Sequence, residues 1–461
     1  MNTIKTALVA SVMALAANAD PTIGQVVVRQ QWPWSTDVRI DYVLTGAESP
    51  VDIDLEFRDG SSSLSVAQGS AAVQGDVYYV ENGVHTIMVD PIAAFGTSKP
   101  SFGDFKVKLT TKATTVPDNK VLYKIVDLVA SNVTDVTRGD LLLGKYGTVV
   151  TNYSQIGTGF STPLTDVVIW TGVTADNAYK TTKLVLRRIP AGTFNMGSPD
   201  DEQYRDTTPI TGAPKLSETL HSVTLTKDFW IGVFPLTQKQ YKLITGSDTV
   251  PMSQHGDMTN GDADLNPVYD VTYSDARGSS TGAEWPASHA VDSSSIIGNL
   301  RSIFNGAIVF DLPTEAQWER ACRGGNEGAN VMFNGKLLYA NGAVQSADRN
   351  AIIWSSYNTL RDKYPKTQPV GGKPANPYGL YDMIGNVCEW VLDRAANFTS
   401  DAETDPKGPS SGNQRVVRGG DVTAEHCGAT LALRSAFRFA RNVNALYSGV
   451  LPGLRICVTE E

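Results

Sequence analysis

The feature that most constrains this chain is an alternation of apolar and polar residues that runs from Ile23 to about Thr115. Successive side chains of a β-strand point to opposite faces, so alternation with period two buries one face of each strand. The dipeptides Asp59-Gly60 and Asn82-Gly83 are typical of turns between antiparallel strands. The pattern predicts an antiparallel β-sandwich of immunoglobulin or fibronectin type over residues 20–115. Strands are expected at 26–28, 38–44, 51–57, 85–89 and 105–109.

The first residues have the pattern of an export signal. Lys5 gives a positive start, residues 7–17 form an apolar run, and Ala17-Asn18-Ala19 is a small-x-small cleavage site. The run is too short for a permanent membrane span, and no later segment is longer. We therefore expect a signal peptide at residues 1–19, no transmembrane segment, and a secreted, periplasmic or cell-surface location.

Composition narrows the class of partner. The net charge is −9, and no basic run is interleaved with aromatic residues, so nucleic acid is not expected as a partner. An apolar content of 41% is enough for buried cores. Outside the cytosol, the remaining partner classes are a protein, a peptide or a glycan.

The four cysteines allow two interpretations. They are Cys322, Cys388, Cys427 and Cys457. In an oxidising compartment they could form disulfides in more than one pairing, or they could be buried free thiols. The C-x-x-C spacing of zinc and iron–sulfur sites is absent from the sequence, so neither kind of site is expected.

Residues 116–183 are harder to interpret. The segments 121–129 and 167–170 have strand character and are separated by stretches rich in Gly, Thr and Asn. The segment is expected to be a linker with extra strands that pack on the next domain.

Beyond Leu184 the alternation fades and helix-start signals appear. Thr237 is followed three residues later by Gln240, which is the spacing of a capping box, and Gly246 is placed to end that helix. Thr314 and Gln317 repeat the same spacing. In the second helix, Trp318 and Ala321 are expected on one side and Glu315 and Glu319 on the other. A further helix is expected at about 294–304.

The same half of the chain resembles the formylglycine-generating-enzyme (sulfatase-modifying-factor) family. The strongest match is 312–325, LPTEAQWERACRGG, and the resemblance covers residues 184–458. It implies a variant of the C-type lectin fold, so the whole chain is expected to be mostly β with short helices (α+β). Residues 247–305 match poorly, and Tyr273 stands where the family has tryptophan. Other matching segments lie at 189–198, 223–232, 235–241, 376–391, 415–420, 434–438 and 453–456.

The resemblance also implies bound calcium, which takes oxygen ligands from side chains and carbonyls. One site uses the side chains of Asn386 and Glu389 with the carbonyls of Gly385 and Val387. The alternative is that these residues stabilise turns without an ion. The second implied site uses Asp362, the Tyr364 carbonyl and Asn350. Asn341 is the alternative to Asn350 if the family's motif is aligned differently.

Catalytic members of the family oxidise a sulfatase cysteine to formylglycine with molecular oxygen and copper(I), which a pair of nearby cysteines binds. Thiolates are the soft ligands that copper(I) requires. When the family's motif is matched to this sequence, residues other than cysteine stand at the positions of the cysteine pair. Cys427 is the only cysteine in that segment, and Asp421 stands where the family has serine. The sequence therefore predicts an exported, non-catalytic binding module. The alternative is a formylglycine-generating oxidase, and copper is expected only in that case, with Cys427 as the weak catalytic candidate.

Overall fold

The computed structural model divides the chain into two compact units, residues 1–118 and 119–461. All structural statements below concern the residues it describes. These are 20–30, 37–47, 50–64, 72–95, 104–114, 120–150, 168–200, 202, 205, 216–251, 257–325, 350–361, 364–423, 433–444 and 450–459.

The first unit is built from antiparallel strands in two sheets. One sheet has the order β1-β2-β6-β5, and the other has the order β4-β3-β7. Asp59-Gly60 forms the predicted turn between β3 and β4, with Gly60 in the left-handed region at φ +59°. The strands are β1 (Thr22–Gln30), β2 (Val38–Thr45), β3 (Val51–Asp59), β4 (Ser62–Leu64), β5 (Val73–Gly75), β6 (Gly83–Val89) and β7 (Phe105–Ala113).

Both sheets contribute to one hydrophobic core. Ile40 and Ile87 come from the first sheet, and Ile53 and Phe57 come from the second. The first sheet has the order of the A-B-E-D sheet of an immunoglobulin domain, if its strands are lettered along the chain. In the second sheet, β7 takes the place of strand F beside strand C. The predicted strands of this region are therefore present, as β1, β2, β3, β6 and β7.

The second unit is also rich in short strands. Its largest sheet has the order β16-β24-β15-β12-β8-β9, and a second has the order β22-β21-β19-β23. Its strands are β8 (Val121–Asp127), β9 (Asn132–Thr137), β10 (Val149–Val150), β11 (Ile169–Trp170), β12 (Lys183–Ile189), β13 (Gly192–Met196), β14 (His221–Leu225), β15 (Phe229–Gly232), β16 (Phe310–Asp311), β17 (Leu360–Arg361), β18 (Tyr364–Pro365), β19 (Cys388–Arg394), β20 (Glu403–Thr404), β21 (Gln414–Arg418), β22 (Arg438–Asn442), β23 (Pro452–Gly453) and β24 (Cys457–Thr459).

The segment between the two predicted domains belongs largely to this second unit. Strand β8 pairs antiparallel with β12, and β9 pairs with β8 at the edge of the largest sheet. Trp170, on β11, is fully buried and donates from Nε1 to the Tyr146 carbonyl at 2.8 Å. The extra strands are thus part of the second unit's core.

Helices are short, and their ends follow the local signals. Thr237 and Gln240 form a capping box at the start of α4, and Gly246 ends that helix at φ +69°. Thr314 and Gln317 form another at the start of α7, and the helix expected at 294–304 is α6. The helices are α1 (Pro91–Phe95), α2 (Arg138–Leu142), α3 (Ala178–Thr181), α4 (Gln238–Thr245), α5 (Tyr273–Arg277), α6 (Ile296–Ile303), α7 (Glu315–Arg323) and α8 (Ser356–Thr359).

The observed class is mostly β with short helices, which confirms the sequence prediction. Within the described ranges, no helix has the length and apolar character needed to cross a membrane. The signal peptide predicted at residues 1–19 lies outside these ranges.

Candidate functional site

Helix α7 is the centre on which the candidate site is built. All nine of its residues are buried, including both glutamates of its polar side. The amphipathic pattern therefore separates an apolar side from a buried charged side.

Arginines from later strands and from α7 itself neutralise the buried glutamates of α7. Arg418, at the end of β21, contacts both Glu315 and Glu319. Arg438 donates from Nε to Glu315 at 2.7 Å, and Arg323 donates from Nε to Glu319 at 2.9 Å. Burial opposes ionisation of Glu319, but Arg323 and Arg418 hold its pKa below the usual range. The charged network joins α7 to β21 and β22.

The predicted ion-binding loop lies at the start of β19. Gly385 and Asn386 are both in the left-handed region, at φ +82° and +63°. A Cβ atom on Gly385 would lie 2.2 Å from the Trp354 carbonyl oxygen, so this position requires glycine. The Asn386 side chain binds the Gln368 backbone twice: its Oδ1 accepts from N–H and its Nδ2 donates to C=O, each at 3.0 Å. Asn386 therefore ties two loops together.

Glu389 carries the other side chain of this predicted site. Its Oε1 accepts from Arg455 Nε at 3.0 Å and Nη2 at 2.8 Å. Its Oε2 accepts from Arg455 Nε at 3.1 Å and from Trp318 Nε1 at 2.7 Å. Arg455 also donates to the Gly232 and Tyr381 carbonyls. Glu389 is thus engaged in a buried ion pair.

Asp382 adds a second carboxylate beside this pair. It is buried, and its Oδ2 accepts from the Gly371 N–H at 2.8 Å. Burial raises the pKa of Asp382 to about 6, and the negative charge of Glu389 adds to the effect. Asp382 is thus a second buried carboxylate near Glu389, and the positive charges of Arg455 and Lys373 partly offset its own charge. Asp382 has charged oxygen donors of the kind that calcium sites use, whereas the Asn386 side chain is bound by the Gln368 backbone.

The second predicted site is described in part. Asn350 Oδ1 is buried and has no hydrogen-bond partner among the described residues, as expected of an oxygen available to a ligand. Lys373 donates to the Asn350 carbonyl and lies 3.8 Å from the Trp354 ring centroid. Only the backbone of Tyr364, in β18, is described, while Asp362 and Asn341 lie outside the described residues.

No described group of three His, Cys, Asp or Glu side chains converges on a metal position. Calcium, whose implied ligands include amides and carbonyls, therefore stays a prediction at both sites.

Part of the poorly matching segment supports the same loops. Asn260 donates from Nδ2 to Gln368 Oε1 at 2.6 Å, and Thr367 Oγ1 donates to Asn266 Oδ1 at 2.9 Å. Tyr273, at the family's tryptophan position, is fully buried with its ring centroid 5.9 Å from that of Trp390. These contacts integrate residues 257–276 into the second unit.

Three of the four cysteines are buried free thiols. Cys322 donates to Ser435 Oγ at 3.6 Å, and Cys457 donates to Gln317 Oε1 at 3.8 Å. Burial raises the pKa of Cys322 to about 12 and also raises that of Cys457. For these cysteines the structure matches the free-thiol alternative rather than the disulfide alternative.

The third thiol lies beside the residue that replaces the family's serine. Asp421 is buried, and its carboxylate accepts from the Thr423 and Leu451 N–H groups at 2.7 and 2.9 Å. Cys388 shares a hydrogen bond with Asp421, and its pKa is raised well above the usual value by burial and by that carboxylate. Cys427 lies outside the described residues.

Sequence reasoning missed Arg455 as the partner of Glu389 and Asp382 as a second buried carboxylate near it. Asp382 had a local signal, since an acidic residue directly after Tyr381 stands three positions before the Gly385 turn. Arg455 had no local signal, because 66 residues separate it from Glu389. Ion pairs of this kind depend on how distant strands come together.

Comparison with protein families places these features in context. Residues 173–456 match the family described as "Sulfatase-modifying factor enzyme 1-like domain". The matched segment contains α7, the Gly385 loop, Asp421 and three of the four cysteines, Cys322, Cys388 and Cys427.

Individual relatives match over shorter stretches. The formylglycine-generating enzyme of Mus musculus is 36% identical over 30% of this chain and 40% of that protein. The formylglycine-generating enzyme of Thermomonospora curvata is 27% identical over 50% of this chain and 80% of that protein. A protein named chaperone protein LppX, from Paenibacillus barcinonensis, is 29% identical over 40% of this chain and 69% of that protein. The chain thus spans less than half of the mouse protein's length.

Proposed function

The chain belongs to the sulfatase-modifying factor (formylglycine-generating enzyme) family, and from this premise we propose that it is an exported, non-catalytic binding module. Its partner is a peptide, a glycan or a protein outside the cytosol. The second unit supplies the binding face, and the first unit acts as a spacer.

The state of the cysteines carries this proposal. A copper(I) site of the family type needs two ionised sulfur donors. Cys322, Cys388 and Cys457 are each buried with a raised pKa, so none of them readily provides a thiolate. Cys427 is then a single sulfur donor, which is too few for a bis-thiolate site.

The binding face is proposed around a small hydrophobic cluster of the second unit. Met258, Tyr269, Val387, Val422 and Leu451 form this cluster, with Trp354 packed partly buried against it. The five buried residues come from four parts of the sequence, since Met258 and Tyr269 are 11 residues apart and the other three are distant from them, so several loops meet there. Loops positioned by a rigid scaffold are the usual place for binding residues.

The relatives are compatible with more than one role for this domain. One is named a chaperone, which is a protein-binding role, and others are named formylglycine-generating enzymes. Because only 40% of the mouse enzyme is matched, its activity is not transferred to this chain.

Calcium forms part of the proposal as a structural ion. Asp382, Glu389 and the carbonyls of Gly385 and Val387 would hold one ion, and Asn350 with Asp362 and the Tyr364 carbonyl would hold another. Two observations support these positions: the burial of the Asp382 and Glu389 carboxylates, and the Asn350 oxygen, which has no partner within the part of the chain that the structure describes. The ion would order the loops of the binding face.

The oxidase alternative is tested with a peptide that carries the sulfatase C-x-P-x-R motif. The purified protein is incubated with this peptide, copper(I) and oxygen, and the peptide is analysed by mass spectrometry. We expect the cysteine to remain unmodified. An aldehyde product that disappears in Cys427→Ala would contradict the proposal, and a catalytically active family member serves as the positive control.

Export is tested separately by determining the N-terminus of the protein recovered from outside the cytosol. The proposal expects it to begin at Asp20, after cleavage of residues 1–19. Recovery of uncleaved protein in the cytosol would contradict this part.

A further inference from the structure

The short segment Gly371-Gly372-Lys373 contacts residues of both predicted ion sites. Lys373 is partly buried, and its Nζ donates to the backbone carbonyl of Asn350. Two residues earlier, the Gly371 N–H donates to Asp382 Oδ2 at 2.8 Å. Asn350 and Asp382 are the residues proposed to give a side-chain oxygen to one calcium ion each. A positive charge of the protein itself is therefore placed close to both positions.

The Trp354 ring holds the Lys373 ammonium in a defined place. Nζ lies 3.8 Å from the ring centroid, which is a close cation–π contact. The backbone packs on the same indole, since a Cβ atom on Gly372 would lie 3.1 Å from Trp354 Cζ2. Lys373 is thus fixed by an aromatic face and a carbonyl, unlike a lysine that extends freely into water.

Two cations act on the Asp382 carboxylate, and they differ in how firmly they are held. Burial raises the pKa of Asp382, while the positive charges of Arg455 and Lys373 oppose that rise. Arg455 is fully buried and is bound by Glu389 and by the Gly232 and Tyr381 carbonyls. Lys373 has a flexible four-carbon stem and a less buried position. Of the two cations, Lys373 is therefore the one that can move away.

A divalent ion at either position would meet this ammonium as a like charge. Charges near partly buried groups are less screened than charges in bulk water, so the repulsion is felt over several ångströms. Binding free energies are also reciprocal: if the lysine weakens the binding of the ion, the ion weakens the binding of the lysine to its own partners by the same factor. The contact between Lys373 and Trp354 should therefore depend on whether calcium is bound.

We propose that Lys373 is a built-in competitor of calcium, and that calcium binding releases it from the Trp354 ring. Trp354 packs against the hydrophobic cluster of the binding face. Release of the lysine would therefore add the face of the indole ring to the apolar surface that the partner contacts. This inference rests on the calcium and the binding face of the proposed function, and it makes calcium a regulator of partner binding as well as a structural ion.

Calorimetric titration of the metal-stripped full mature protein with calcium tests the competition. Lys373→Met removes the charge and keeps a side chain of similar length, so we expect it to bind calcium at least several-fold more tightly than the wild type. If this variant fails to fold, Lys373→Gln takes its place, with the same expected direction. Lys227→Met is the matched control, because Lys227 is exposed in the turn between β14 and β15, and its affinity should equal that of the wild type.

The direction of the change separates this proposal from a purely structural role of Lys373. If the lysine only supported the Asn350 carbonyl, its removal would loosen the loop, and calcium affinity would stay the same or fall. That result, in a wild type that binds calcium, would overturn the inference and leave the calcium assignment intact. A wild type that binds no calcium would instead refute the calcium assignment, and the inference would fail with it.

The movement of the lysine itself is followed by nuclear magnetic resonance. Reductive methylation with ¹³C-formaldehyde labels lysine side chains and keeps their charge, and the signal of Lys373 is assigned by its loss in Lys373→Arg. Without calcium, the ring current of Trp354 should shift this signal upfield of the signals of exposed lysines. We expect saturating calcium to move it to the position of exposed lysines. A signal that stays upfield at saturation would contradict the proposed release.

Discussion

Buried carboxylates of the second unit fall into two groups according to their partners. Glu319 and Glu389 meet arginines that neutralise them. Asp393 and Glu202 are less well compensated, and burial raises the pKa of each to about 7. For Asp393, the negative charge of Glu315 is the next cause. The second group should make stability depend on pH.

The first prediction concerns Asp393→Asn. The folded protein keeps the Asp393 proton up to about pH 7, while the unfolded chain releases it near 3.8. The stabilisation that the bound proton gives the folded protein is therefore fully present below pH 3.8. It is lost as pH rises through the folded pKa of about 7, and the free energy of unfolding falls by up to about 1.4 kcal/mol per pH unit. We expect the free energy of unfolding of the wild type to fall between pH 5 and 8, and that of Asp393→Asn to fall less.

Urea unfolding at several pH values measures both slopes. Asp292→Asn is the matched control, because hydrogen bonds from Ser280 lower the pKa of Asp292 to about 2. Asp292 is ionised throughout the range, so this variant should keep the wild-type slope. Parallel curves for the wild type and Asp393→Asn would contradict the assignment.

The second prediction concerns the ion pair at the candidate site. Arg455→Met would leave Glu389 buried without its main partner, which typically costs about 3–5 kcal/mol. Glu389→Gln in the same protein removes the stranded charge, so the double variant should lose less stability than the sum of the two single variants. A double-mutant cycle by urea unfolding measures this coupling. If the losses of the two single variants simply added up in the double variant, Glu389 and Arg455 would not interact energetically, which would contradict the prediction.

At the scale of elements, short-range signals were predictable and long-range pairings were not. The capping boxes at Thr237 and Thr314 depend on residues three positions apart, so the sequence contains all their information. The partnership of Arg418 with Glu315 joins residues 103 positions apart and depends on the packing of α7 against β21. For the same reason the sequence left open where β8 would pair.

The candidate site shows the same division. The Gly385 turn and the position of Glu389 follow from the local Gly-Asn-x-x-Glu pattern and the family resemblance. Two other features depend on how loops meet. These are the hydrogen bonding of the Asn386 side chain to the Gln368 backbone and the position of the Asp382 carboxylate near Glu389. Only the structure distinguishes a side chain that ties loops together from one that is available to an ion.

The third prediction compares two glycines in the left-handed region. Gly246→Ala places its Cβ in open space, so only the backbone preference is lost, which costs about 1 kcal/mol. Gly385→Ala has the same backbone cost and also brings Cβ within 2.2 Å of the Trp354 carbonyl oxygen. We expect its loss of unfolding free energy to be several times larger. Equal losses by chemical denaturation would show that the loop moves freely.

For the whole molecule, the fourth prediction concerns calcium. If calcium orders the loops of the second unit, chelation with EGTA should lower the melting temperature, because a ligand that binds only the folded state stabilises it. Asp382→Asn should reduce this calcium dependence, whereas Asp135→Asn, at a half-exposed side chain of β9, should not. Identical melting curves with and without calcium, in protein first stripped of metal, would contradict the calcium assignment.

The absence of a matched cysteine pair decides the role proposed for the whole molecule. The matched segment holds the family's loop glycines and buried charges, while two of its three cysteines, Cys322 and Cys388, are buried free thiols. A domain can keep the fold of an enzyme family without its reactive groups, so function has to be argued from the site.

Copper(I) binding tests this central claim most directly. The reduced protein is titrated with copper(I) against a competing chromogenic chelator, and the wild type is compared with Cys427→Ala. We expect the chelator to keep the copper(I) to the same extent in the presence of either protein. One tightly bound copper per chain in the wild type, lost in Cys427→Ala, would contradict it.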